Sequence, residues 1–197
     1  RGVHQTYPRE GLTDTTCTAA RIHPPTHGFI ENTLPSMAAA FEAGADRVEI
    51  DIHHTADGAL VVFHDWTLEC RTDGTGITQE QDLATLKRLD IAYGYTADGG
   101  KTFPLRGTGV GLMPTIEEVL ARFPARRFLL NQKSGSRHTL EVLATRLAPY
   151  GPEVRARLSY WGPLPDDAAK LIPGLGEPFT GRGEIRRCAK AWFTSGG

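Results

Sequence analysis

The segment 44–65 constrains the fold of this chain more than any other part of the sequence. Apolar and polar residues alternate over residues 47–52, and a second apolar run, residues 59–63, follows the turn signal Asp57-Gly58. Side chains of a β-strand point alternately to its two faces, so this pattern predicts two strands joined by a short turn.

Three polar side chains of this segment are candidates for a functional site. Glu49 and Asp51 fall on one face of the first predicted strand, and His64 directly follows the second. Two carboxylates suit a hard cation, and a histidine beside them suits proton transfer. The same alternation is also typical of a half-exposed strand, whose acids would only face solvent. The histidine at the next strand end favours the site.

The segment and its flanks resemble the glycerophosphodiester phosphodiesterase family. The family's ordered pattern is HRG, ENT, GAD-x-x-E-x-D, T-x-D-G, HD and R-T-x-G-x-G. The residues that match from ENT onwards are Glu31-Asn32-Thr33, Gly44-Ala45-Asp46 with Glu49 and Asp51, Thr55 with Asp57-Gly58, His64-Asp65, and Arg71-Thr72 with Gly74 and Gly76. The match is dense over residues 28–133, and the order and spacing of its elements make it specific.

The resemblance implies an α/β fold, the (β/α)8 TIM barrel, with its site at the C-terminal ends of the strands. Strands that alternate with helices along the chain favour the same parallel α/β class. The predicted helices are residues 33–43, 79–89, 114–123, 137–147, 166–171 and 183–193. The predicted strands are residues 47–52, 59–63, 127–133, 154–161 and 178–180.

These strands are too few to close a barrel. Such barrels typically need about 250 residues, and the chain has 197. We therefore expect one barrel domain over residues 1–197 that is incomplete at both ends, with the first strand lying before Arg1 and the last strands after Gly197.

The resemblance also implies a role for each candidate residue. Glu49 and Asp51 would bind a divalent metal, Mg²⁺ or Ca²⁺, and His64 would transfer protons. In the family a further glutamate ligand stands two residues before a lysine, and here those positions are Asn131 and Lys133. An amide offers an oxygen but no charge, so this departure predicts weaker metal binding. The lysine would bind the substrate phosphate, or would be a surface charge at a strand end.

Two alignments are possible for the family's HRG motif. In the first, Arg1-Gly2 supply its last two residues, Arg1 binds phosphate, and a loop of about thirty residues precedes Glu31. In the second, His23 is the motif's histidine and an alternative catalytic residue, although two prolines follow it. We favour the first, because Arg1-Gly2 is the matching dipeptide. Glu31 would line the site, or would only complement the dipole of the following helix.

The resemblance implies the metal-dependent hydrolysis of a small-molecule glycerophosphodiester to glycerol 3-phosphate and an alcohol. One alternative is a phospholipid head-group phosphodiesterase on the same barrel, like the sphingomyelinase D relatives. The loop 90–113, with Tyr93, Tyr95, Lys101 and Phe103, offers side chains that could contact such a ligand. The other alternative is a non-catalytic relative that binds phosphodiesters.

Charge and cysteine content bear on partners and location. A net charge of −1 lacks the basic excess of nucleic-acid binding, and no apolar run reaches the roughly 20 residues of a membrane span. The three cysteines are an odd set, and sequence leaves open whether Cys17 and Cys70 meet. A disulfide between them would favour an exported or periplasmic protein. The oligomeric state is not predicted.

Overall fold

A computed structural model describes residues 1–13, 15–24 and 27–176. The helices are α1 (Leu34–Glu42), α2 (Leu83–Arg88), α3 (Ile116–Arg122), α4 (Arg137–Leu147), α5 (Pro152–Arg155) and α6 (Pro165–Leu171). The strands are β1 (Arg47–His54), β2 (Leu60–Val62), β3 (Arg127–Gln132) and β4 (Leu158–Trp161). The predicted strand 178–180 and helix 183–193 lie outside the described residues.

The four strands form one sheet in the order β2-β1-β3-β4. β3 runs parallel to both β1 and β4, and its Asn131 pairs in register with Asp51 of β1. The predicted parallel arrangement is therefore correct for these three strands. β2 follows the predicted short turn and runs antiparallel to β1, with Ile52 opposite Val62. A turn of a few residues can join only antiparallel strands, and Gly58 supplies the positive φ of 73° within it.

The two faces of the sheet differ in character. Strand residues that point to the helices are apolar and buried, and they pack against α1, α3, α4 and α6 in one core; they include Val48, Ile50, Ile52, Phe128 and Leu130. The opposite face of β1 carries Glu49, Asp51 and His53. The period of two thus puts hydrophobic packing on one face and polar side chains on the other.

Threonine side chains cap the starts of α1 and α3. The Thr33 hydroxyl accepts from the Ser36 N–H at the start of α1, and Thr115 and Glu118 form a reciprocal capping box at α3. These caps satisfy backbone N–H groups that have no partner within the helix.

Two predicted elements need correction. Residues 79–89 divide into a 3-10 turn, Thr78–Glu80, and the separate helix α2, which is capped by Asp82. The predicted strand 154–161 shortens to β4, because Pro152 begins α5 in its place. Proline at the first turn of a helix loses no needed hydrogen bond.

The long loops pack against each other in a second apolar core, which contains Ile22, Leu68, Ile91 and Tyr95. A disulfide joins Cys17 to Cys70 with their Cα atoms 5.4 Å apart. Tyr95, which was expected to be available for ligand contact, is buried there. Within the described ranges, no helix is long and apolar enough to cross a membrane.

Candidate active site

The register of β1 and β3 assembles the centre of the site. Asp51 and Asn131 are direct neighbours on adjacent strands, and Glu49 lies two residues earlier on the same face. The Asn131 amide Nδ2 donates to Glu49 Oε1 at 2.8 Å and to Asp51 Oδ1 at 2.9 Å. The oxygens of both carboxylates therefore converge on one atom.

Asp51 is fully buried and surrounded by donors. Its second oxygen, Oδ2, lies 3.1 Å from Arg1 Nε and accepts from the Asn32 amide at 2.9 Å. The ammonium of Lys133 lies 3.8 Å from Oδ1. Burial alone would raise the pKa of Asp51, but Arg1, His64 and Lys133 outweigh it and hold the pKa below its usual value. Asp51 is therefore ionised at neutral pH.

His64 joins this centre through its position after β2. β2 turns back along β1, and the Phe63 N–H donates to the Asp51 carbonyl at 2.9 Å. His64, the next residue, therefore lies on the sheet face that carries the Asp51 side chain. The imidazole Nδ1 lies 2.5 Å from Asp65 Oδ1, and Nε2 lies 3.3 Å from Lys133 Nζ. The Asp65 carboxylate accepts from Nδ1–H, so that Nε2 is turned towards Lys133.

A second charged cluster lies behind His64. Arg71 Nε is 3.0 Å from Asp65 Oδ2, and Arg71 Nη2 is 3.0 Å from Glu31 Oε1. These are charge contacts without the alignment of regular hydrogen bonds. Arg71 also donates to the Tyr95 hydroxyl at 3.0 Å and to the Thr18 hydroxyl at 2.8 Å. Burial raises the pKa of Tyr95 well above its usual value, so its hydroxyl stays neutral.

The two candidate alignments of the HRG motif place different residues at the site. Arg1 contacts Asp51, and the Asn32 N–H donates to the Arg1 carbonyl at 2.9 Å. Gly2 has a φ of 72°, and a Cβ there would lie 2.6 Å from the backbone of Ser36; only glycine fits. His23 is exposed, and its Nδ1 lies 2.8 Å from the Thr6 hydroxyl in the N-terminal loop.

Three contributors were not identified from the sequence as site residues. Asn32 and Arg71 belong to matched motifs, but their roles depend on contacts with residues distant in the sequence, Asp51 for Asn32 and Glu31 for Arg71. His53 shares the face of Asp51, and period two was the signal that could have found it. Burial lowers the pKa of His53 to about 4, so this ring is neutral; its Nδ1 lies 3.3 Å from the Gln79 amide.

The donor set at the centre fits a hard divalent cation. Glu49 and Asp51 offer carboxylate oxygens to one point. The O and N atoms of an asparagine amide are told apart only by their hydrogen bonds. With these two atoms exchanged, Asn131 would offer a third oxygen to the same point. Glu31 is turned to Arg71 and is not available. No group of three His, Cys, Asp or Glu side chains suited to a metal occurs in the described part of the chain; the third side chain that meets Glu49 and Asp51 is the amide of Asn131.

Comparison with known proteins gives this site a context. The glycerophosphodiester phosphodiesterase of Caldanaerobacter subterraneus subsp. tengcongensis is 35% identical over 153 residues, covering 74% of this chain and 58% of that protein. The Bacillus subtilis enzyme of the same name is 37% identical over 100 residues, covering 49% of this chain and 33% of the relative. The matched part of the chain thus spans 58% of the first relative's length and 33% of the second's.

Solved structures agree on the fold. The glycerophosphoryl diester phosphodiesterase domain of an uncharacterized Mycobacterium tuberculosis protein superposes with a TM-score of 0.63 at 22% identity, covering 84% of this chain and 60% of that one. An Oleispira antarctica phosphodiesterase in complex with the product sn-glycerol-3-phosphate has a TM-score of 0.58 at 26% identity, covering 73% and 57%. The partial sheet is consistent with an incomplete TIM barrel.

The family profile described as the glycerophosphoryl diester phosphodiesterase family matches residues 1–148. That range contains every side chain of the site described above. The match covers well over half of the 197 residues, and this chain belongs to that family.

Proposed function

We propose that the protein hydrolyses glycerophosphodiesters, consuming water and releasing sn-glycerol 3-phosphate and an alcohol. The proposal rests on the position of Lys133 between two other site residues in a chain of this family. Its Nζ lies 3.3 Å from His64 Nε2 and 3.8 Å from Asp51 Oδ1. The product named in the Oleispira structure is the one this reaction releases.

His64 would transfer protons and Lys133 would bind the phosphate. With Nδ1–H donated to Asp65, the Nε2 atom of His64 is the one that accepts or gives up a proton at the phosphodiester. The Lys133 ammonium is placed to bind a non-bridging phosphate oxygen and to stabilise its charge. Arg1, which is partly exposed, can bind the same phosphate through two parallel N–H groups.

Glu49, Asp51 and Asn131 would hold a divalent cation, Mg²⁺ or Ca²⁺. When bound, such an ion neutralises the non-bridging oxygens and favours formation of the nucleophile. One carboxylate fewer than in the family pattern should weaken the binding. Arg1 and Lys133 supply positive charge beside Asp51 and would compete with the ion.

The activity test compares His64→Asn with the matched control His23→Asn in the natural full-length protein. We expect His64→Asn to lower the release of glycerol 3-phosphate from glycerophosphocholine by about 10²–10⁴-fold, the usual contribution of a general acid or base. His23→Asn should change it little under the first alignment. Equal activity on lysophospholipid would favour the head-group alternative, and no turnover of either substrate would favour the non-catalytic one.

The metal test uses calorimetric titration, which needs no activity. Asn131→Glu adds a charged ligand and should tighten Mg²⁺ or Ca²⁺ binding by at least about tenfold, or roughly 1.4 kcal/mol. Asn131→Leu removes the amide oxygen and should weaken it. Unchanged affinity in both variants would show that residue 131 does not contact the ion.

A further inference from the structure

We propose that Arg71 is a positioning residue for His64, and that the Cys17–Cys70 disulfide makes this positioning sensitive to redox state. The effect on rate rests on the proposed function. The effect on the orientation of His64 does not, and can be measured separately.

The positioning path runs through the two oxygens of one carboxylate. Asp65 Oδ1 accepts from His64 Nδ1 at 2.5 Å, and Asp65 Oδ2 lies 3.0 Å from Arg71 Nε. Rotation of the carboxylate would break one contact or the other. Burial alone would raise the pKa of Asp65, but Arg71 and the His64 hydrogen bond outweigh this effect and hold the pKa below its usual value. The acceptor that holds the imidazole is thus kept ionised by Arg71.

Arg71 is itself fixed from three directions. Glu31 lies against one end of the guanidinium, and the hydroxyls of Tyr95 and Thr18 accept from it. Only 4% of the side chain of Arg71 is exposed. A buried guanidinium with this many partners has little freedom to move, so the position of Asp65 is well defined.

The disulfide lies directly beside these contacts. Cys70 precedes Arg71 in the chain, and Cys17 precedes Thr18, whose hydroxyl accepts from Arg71 Nη2 at 2.8 Å. The cross-link therefore fixes the N-terminal loop to the segment that carries Arg71. The neighbouring backbone bonds from Thr96 to Ala19 and from Ile22 to Thr96, 3.0 and 3.1 Å, would remain after reduction, so the loop should loosen without detaching.

Reduction by a dithiol such as dithiothreitol is a balanced two-electron exchange. The S–S bond breaks, Cys17 and Cys70 gain one proton and one electron each, and the reagent becomes a disulfide. The segment between the two cysteines, of sequence separation 53, then regains part of its conformational freedom, and Thr18 constrains the guanidinium less firmly.

The experiment uses the natural full-length protein in oxidised and dithiothreitol-treated forms, with a Cys17→Ser/Cys70→Ser variant. Cys188→Ser controls for the third cysteine. We expect reduction to lower kcat on glycerophosphocholine by about tenfold with KM nearly unchanged, less than the roughly 10²-fold cost of a 1 Å misplacement. Dithiothreitol should have no further effect on the double variant. Unchanged kcat in both reduced and double-variant proteins would overturn the redox part.

The second readout is the pair of ring ¹⁵N signals of His64, assigned with His64→Gln. In the oxidised protein they should show the proton on Nδ1, and in Arg71→Met they should show a mixture of tautomers. Arg71→Lys, which keeps the charge, should restore part of the oxidised pattern. Absence of turnover with these signals changing as expected would refute the proposed function alone. Signals that do not respond to Arg71→Met would refute the positioning role.

Discussion

Two charged clusters lie on either side of His64 and differ in their access to solvent. The open cluster consists of Arg1, Asp51 and Lys133, and the buried cluster consists of Glu31, Asp65 and Arg71. In the open cluster two cations flank one carboxylate, and their side chains are 20% and 25% exposed. In the buried cluster two carboxylates flank one guanidinium that is 4% exposed.

Because of this difference in solvent access, the cations of the two clusters are suited to different roles. Arg1 and Lys133 reach solvent, and under the proposed function they would turn from Asp51 towards the substrate phosphate. Arg71 cannot leave Glu31 and Asp65, whose side chains are only 5% and 16% exposed, without depriving both carboxylates of their counter-charge, which is strongly unfavourable. The buried cluster therefore holds geometry, and the open cluster is available for binding. Changes in the free energy of unfolding should separate the two.

The largest effect on stability should come from Arg71→Met. It leaves the buried Glu31 and the partly buried Asp65 without this counter-charge, and breaking a buried ion pair typically costs about 3–5 kcal/mol. Urea unfolding at neutral pH measures the loss. The control is Arg137→Met, whose side chain is 57% exposed in its pairs with Glu141 and Asp167 and should cost less than about 1 kcal/mol. Equal losses would erase the distinction between the clusters.

An intermediate effect should come from His53→Gln, and it should depend on pH. The unfolded ring takes up a proton below its ordinary pKa of 6.5, whereas burial keeps the folded ring neutral down to about 4. In that window the unfolded state binds more protons, so stability falls as pH falls, by up to about 3 kcal/mol.

Glutamine cannot titrate but can still donate a hydrogen bond, so His53→Gln should flatten the dependence between pH 6.5 and about 4. Urea unfolding at a series of pH values checks this, with the exposed His23→Gln as the matched control. A dependence as steep in His53→Gln as in the natural protein would show that other groups cause it.

The smallest effect on stability should come from Lys133→Met, in the open cluster. The ammonium is partly solvated and Asp51 keeps Arg1 and two amides, so the cost should be below about 1 kcal/mol. The same change should lower kcat by about 10²–10³-fold, as removal of one oxyanion-stabilising donor does. Lys170→Met, on an exposed face of α6, should change neither quantity. A large stability loss with normal turnover would reverse the assignment of Lys133.

Sequence alone determined the local features of this protein. Period two placed Glu49 and Asp51 on one face, and the structure shows them meeting at Asn131. The helices predicted over residues 33–43 and 114–123 are present as α1 and α3, and the motif order identified the family that the profile match then showed. The strand and helix predictions depend on neighbours within a few residues and the family on the order of motifs, both of which the sequence displays directly.

Only the tertiary structure decided which distant residues meet. The antiparallel return of β2 brings His64 beside β1, the parallel register sets Asn131 against Asp51, and the loops bring Thr18 to Arg71 across 53 positions. Such contacts depend on loop paths and strand register, which no local periodicity specifies. The tertiary structure also decided the pKa of Asp51 and of Asp65. Both values depend on burial and on the charges of neighbouring groups, which exist only in the folded protein.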